Sequence, residues 1–152
     1  MNQTTELKTL KEWGTDLGKK VEDLSSIDPE ELIEVARVVG EFLVTGEYKD
    51  PNKEKPQKVN LKVNQIRRFL DAVRSAEAEF KQTKEFSEAR ESIIALRPKL
   101  AYAAGREERV RPLMNVLNPA MKSGAQSPEK FKYLVRLIEG IIAYHKFYGG
   151  GN

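Results

Sequence analysis

Leu7, Leu10, Trp13, Leu17, Val21 and Leu24 recur at steps of three and four residues, the spacing of one helical face, and predict a first helix over residues 7–24. Gly14 and Gly18 weaken its middle or bring it close to a neighbour. A second helix has a marked start: Asp28 as N-cap, Pro29 at the first helical position and Glu31 closing a capping box. Leu32, Ile33, Val35, Ala36, Val39, Phe42 and Leu43 give it a broad apolar stripe that ends at Gly46. Val63, Ile66, Phe69, Leu70, Val73 and Phe80 mark a third helix. Phe86, Ala89, Ile93 and Leu96 mark a fourth, over 86–96, which Pro98 is expected to stop, because the residue before a proline disfavours helical geometry. A short apolar helix, Leu100 to Ala104, precedes Gly105. Val110, Leu113, Met114 and Leu117 then define another, with Pro112 in its first turn and Pro119 near its end.

The last helix opens with Ser127-Pro128-Glu129, which supplies cap, first-turn proline and acid in dipole-favoured order. Its pattern differs from the others. Phe131, Leu134, Val135, Ile138, Ile141 and Ile142 form one stripe, and Tyr133, Leu137, Tyr144 and Phe147 form a second. A helix apolar on two sides lies at the centre of a bundle or faces another chain. Gly149 to Gly151 stop it. Between the second and third helices, GEYKDPNKEKPQKVN (46–60) carries two prolines and excess lysine, and reads as a mobile connection. No alternating strand pattern or internal repeat occurs. The expected architecture is all-α: one domain over 1–152, a compact bundle of five to six helices. Acidic N-terminal helices occupy 1–45, the flexible Lys/Pro-rich connection 46–60 and a basic helical core 61–152.

Composition narrows the function. Leu, Ile, Val and Phe supply 39 of the 152 residues, enough for a folded core. Zero cysteines exclude disulfides, thiolate metal sites and cysteine nucleophiles, and a single histidine excludes the common zinc motifs. No apolar run approaches the roughly 18 residues of a membrane span, and Met1 to Glu6 lack the features of a signal peptide. A soluble cytoplasmic protein, with no membrane partner, is expected. Catalysis finds no constellation: His145 is the sole imidazole and falls beside an apolar stripe, as a partly buried histidine bonded to a backbone or tyrosine oxygen would. Glu88 and Glu91 are read as solvated ion pairs with Lys84. No cofactor or metal is implied.

Charge is more informative. Residues 1–50 carry 6 basic and 12 acidic side chains, whereas 51–152 carry 20 basic and 11 acidic. Two stretches concentrate the excess: 53–74, with Lys53, Lys55, Lys58, Lys62, Arg67, Arg68 and Arg74, and 97–122, with Arg97, Lys99, Arg106, Arg109, Arg111 and Lys122. At 100° per residue Arg67 and Arg74 share one flank of the third helix's apolar stripe, and Arg68 lies on the other side. Cations held on a rigid helix suit phosphates along a nucleic acid strand, and they equally suit a solvated charged face. Tyr102, between Lys99 and Arg106, offers a ring for base stacking, although an aromatic in Leu-Ala-Tyr-Ala is more often core.

Three blocks carry a family resemblance. They are Lys62-Val63-Asn64-Gln65-Ile66-Arg67-Arg68-Phe69, Leu96-Arg97-Pro98-Lys99-Leu100-Ala101-Tyr102-Ala103-Ala104-Gly105-Arg106, and Ile141-Ile142-Ala143-Tyr144-His145-Lys146-Phe147-Tyr148-Gly149-Gly150. In this order, over the last 90 residues or so, they resemble the small subunit of type III-A CRISPR effector complexes, the Csm small subunit. The resemblance implies an all-α, non-catalytic RNA-binding subunit present in several copies. Such copies stack along crRNA-bearing backbone subunits and help line the channel for guide and target RNA. It further implies crRNA, target RNA and the other effector subunits as partners, with self-association into a homodimer or stacked copies. Carried onto matching positions, the RNA-facing residues are Lys62, Gln65, Arg67, Arg68, Arg97, Lys99 and Arg106. A helical protein–protein scaffold without RNA contact is the competing reading, supported by the doubly apolar last helix and the acidic N-terminal region.

Overall fold

The computed structural model describes residues 6–152; the polar start at Met1 to Thr5, read above against a signal peptide, lies outside the described residues. The described chain runs α1 (Thr15–Lys20), α2 (Pro29–Thr45), β1 (Glu47–Tyr48), β2 (Gln57–Lys58), α3 (Val63–Thr83), α4 (Phe86–Arg106), a 3-10 turn (Glu108–Val110), α5 (Arg111–Gly124) and α6 (Pro128–Phe147). The fold is an all-α bundle with one minimal two-stranded ladder. Both expected caps form: the Asp28 carboxylate accepts the Glu30 N–H at 2.8 Å, and the Ser127 hydroxyl accepts the Lys130 N–H at 3.2 Å.

The doubly apolar α6 is the central element, packed on α2, α3 and α5. Most of its second stripe is consumed inside the bundle: Leu137 is buried, Tyr133 and Tyr144 are half-buried, and Phe147 stands out at 74% exposed. The α2–α6 crossing is close because Gly40 lies on α6. A Cβ at that position would sit 2.8 Å from the Tyr144 Cβ and 2.9 Å from the Ile141 carbonyl oxygen. α4 packs between α3 and α5, and α1 rests on α5.

Three sequence expectations change. The first helix is only Thr15–Lys20, because Gly14, at φ 90°, takes a left-handed turn that resets the chain. Residues before it are held by Asn115, whose side-chain amide donates to the carbonyls of Lys11 and Trp13. Pro98 does not end the fourth helix. α4 runs unbroken from Phe86 to Arg106 with Pro98 on its exposed side, one turn after Ile94, which is exposed as well, so the lost intrahelical bond falls on the solvent side of the helix. The 46–60 connection, expected to be mobile, is fastened at both ends. Tyr48 and Val59 are buried, the strands pair antiparallel, and Val59 and Leu61 donate backbone bonds to Gly46 and Leu43 at 3.0 and 2.8 Å. Its Pro51–Pro56 tip is exposed.

Candidate nucleic-acid interface

α3 and α4 lie side by side and leave a cleft of about 690 Å³ between them. From α3 come Gln65, Arg68, Phe69 and Ala72; from α4 come Leu96, Pro98, Lys99, Tyr102, Ala103 and Arg106, with Glu107 at the end. The helical repeat explains the selection. Gln65, Arg68 and Ala72 follow one another at three and four residues on α3, and Lys99, Tyr102 and Arg106 do so on α4. Phe69 and Leu96 are buried at the floor, so the cleft has an apolar base and a cationic rim.

Four of the seven residues expected to face RNA therefore converge: Gln65, Arg68, Lys99 and Arg106. Arg68, Lys99 and Arg106 are exposed, and none of the salt bridges among the described residues involves them. Glu107 is the one carboxylate in the lining, and Arg109 neutralises it at 2.5 Å. The Arg109 guanidinium, aided by the Arg109 backbone N–H, holds the Glu107 carboxyl below its usual range against the opposing effect of burial. The cleft thus presents three cations with no free counter-charge in its lining.

The other three expected residues sit elsewhere. Arg67 is exposed and makes no salt bridge among the described residues, but it projects from the flank of α3 that also carries Arg74. Arg74 itself is paired with Glu139 of α6 at 2.7 Å, which shortens the row of cations expected along that flank. Arg97 lies on the α5 side of α4, its Nε donating to the Asn118 side-chain oxygen at 3.0 Å. Lys62 is the N-cap residue of α3, close to Gly151. Arg109 is likewise committed to structure, donating to Glu107 and, at 3.1 Å, to the Val59 carbonyl.

Tyr102 is a correction. The local sequence favours a core position, yet the ring is 68% exposed, with the Arg106 guanidinium 5.9 Å from its centroid. Its Ala-rich neighbours gave no angular information. Only a continuous α4 puts Tyr102 on the cleft side, between Lys99 and Arg106. The ion pairs expected for Lys84 with Glu88 and Glu91 do not form among the described residues. Glu88 instead meets Glu79 across the α3–α4 connection, and this second carboxyl raises its pKa. His145 is wholly buried, with Nε2 2.6 Å from the Leu61 carbonyl oxygen, and it is not among the residues that line the cleft. Among the described residues no cluster of three or more His, Cys, Asp or Glu side chains could hold a metal ion, and no helix is long and apolar enough to cross a membrane.

The family comparison covers this whole region. The model for Csm2 Type III-A matches residues 26–151, which include every element from α2 to α6 and both walls of the cleft. No curated protein matches the chain. A match over most of the sequence, on an all-α bundle, places the chain in the Csm2 Type III-A family, that of the small subunit of type III-A CRISPR complexes.

Proposed function

We propose that the chain is a non-catalytic small subunit that holds the backbone of guide or target RNA in the α3–α4 cleft, without reading sequence. The observation that carries this reading is the set of three unpaired cations, Arg68, Lys99 and Arg106, around a lining whose single carboxylate is already neutralised. Gln65 adds an amide able to bond ribose or phosphate. Guide pairing supplies the sequence information in an RNA-guided complex, so a subunit along the duplex needs only to fix the path of phosphate and ribose. Weak contacts suffice when several copies line one RNA, because each further engagement is intramolecular.

A non-catalytic role is supported by the commitment of the one imidazole to a backbone carbonyl in the core. Partners of a second kind, other effector subunits or another copy of this chain, have a surface available at the end of α6. There Phe147 is exposed and packs edge-on against Tyr144 and Tyr148.

The test is a salt titration of single-stranded RNA binding by the full chain. Replacing Arg68, Lys99 and Arg106 together with Ala should flatten the slope of log affinity against log salt by about two, at roughly 0.7 per phosphate contact on a single strand. An unchanged slope in a variant with native circular dichroism would remove the cleft from the RNA path.

A further inference from the structure

We infer that the α3–α4 cleft takes an unpaired nucleobase, stacked on Tyr102, in addition to the flanking phosphates. The inference rests on the RNA-binding reading above and deepens it from backbone contact to a base subsite. A surface that served phosphates alone would need cations and hydrogen-bond donors. This cleft also has an apolar floor, formed by Phe69, Ala72, Leu96 and Ala103, and an aromatic ring at its rim. Phosphate cannot cover that apolar area, whereas the face of a base can.

The geometry fits one nucleotide. Lys99, Tyr102 and Arg106 stand in a row along α4, three and four residues apart, so the ring lies between two cations spanning roughly 10 Å of helix axis. A base lying on the Tyr102 ring therefore has its own phosphate and the next within reach of Lys99 and Arg106. Arg106 already lies over that ring at 5.9 Å, a cation–π contact that leaves most of the ring open, as its 68% exposure records. From the facing wall, Gln65 brings an amide with both donor and acceptor, which can bond the edge of any base, and Arg68 supplies the third cation. The cleft volume of about 690 Å³ lies within the range of small-ligand sites. Stacking discriminates poorly between bases, so this subsite senses that a nucleotide is unpaired rather than which one it is.

The experiment compares two strands on the same full-length chain: a short single-stranded oligoadenylate, and a strand of equal length and charge built of abasic ribose phosphates. The wild-type protein should bind the base-bearing strand about tenfold more tightly, in keeping with the stacking of one base on one aromatic ring. Tyr102→Ala should abolish that preference while retaining affinity for the abasic strand, and Tyr102→Phe should keep it. The exposed position of Tyr102 leaves the fold intact, which circular dichroism checks. Equal affinity of the wild type for both strands, or a preference that survives Tyr102→Ala, overturns the base subsite and leaves backbone binding standing. Absence of measurable binding to either strand overturns both.

Discussion

His145 shows how one side chain on α6 governs a distant segment. A carbonyl oxygen only accepts, so the 2.6 Å contact to Leu61 requires the proton on Nε2 and leaves Nδ1 bare, buried and without a partner. Protonating Nδ1 would bury a charge with no acceptor facing it. Burial accordingly pushes the imidazole pKa below its usual 6.5, outweighing the opposite influence of the Leu61 carbonyl. The unfolded chain then binds more protons than the folded one between the depressed value and 6.5, so stability is full above pH 6.5 and is lost as the pH falls through that window. Urea unfolding should show a decline of at most about 1.4 kcal/mol per pH unit from this group, and His145→Gln should remove the decline. Gly150 covers the same ring: any Cβ there would collide with the imidazole. The turn also brings the Gly151 carbonyl to the Val63 N–H at 2.8 Å, tying the C-terminus to the start of α3. Gly150→Ala should cost about 1–3 kcal/mol, read as a lowered urea midpoint, because the ring has nowhere to move.

At the level of elements, one glycine sets a helix crossing, and two prolines sit inside helices. Gly40 sets the α2–α6 distance, and Gly40→Ala should destabilise the chain by about 1–3 kcal/mol in denaturant unfolding, since all three atoms within 3 Å of the new methyl are backbone or Cβ atoms. Pro119 sits inside α5, one turn after Asn115, the residue whose side chain holds the segment before α1. Pro98 is different: it lies exposed inside α4 and has no N–H to offer the Ile94 carbonyl one turn earlier. Restoring an N–H there re-forms a hydrogen bond to Ile94, worth more in a helix interior than the entropy proline removes from the unfolded chain. Pro98→Ala should therefore raise the thermal midpoint, with a gain of about 1–2 kcal/mol. Apolar periodicity made the helices and the central place of α6 legible in advance. The local rule at Pro98 misled because it describes a dipeptide, whereas the packing of Ile93, Leu96 and Leu100 into one core outweighs it.

Across the whole molecule, the sequence shows where positive charge is abundant but not which charges are free. Glu139, which consumes Arg74, is 65 residues away in the chain. Arg97 and Lys99 are two residues apart, yet they fall on opposite sides of α4, a relation that vanishes once a helix boundary is placed at Pro98. The cleft was thus legible as a set of candidates and not as a site. Its free cations now separate from the committed ones by experiment. In salt titrations with a short RNA strand, Arg68→Ala, Lys99→Ala and Arg106→Ala should each lower the slope by roughly 0.7. Arg97→Ala, bonded to Asn118, and Arg74→Ala, paired with Glu139, should leave it unchanged. Arg67→Ala belongs with the second group, because its flank of α3 is turned away from the cleft; a slope loss there equal to that of Arg68 would require the RNA to cross α3 instead of lying beside it. The fall in affinity on replacing the cleft cations should be the same for strands of different sequence, since phosphate contacts carry no base information.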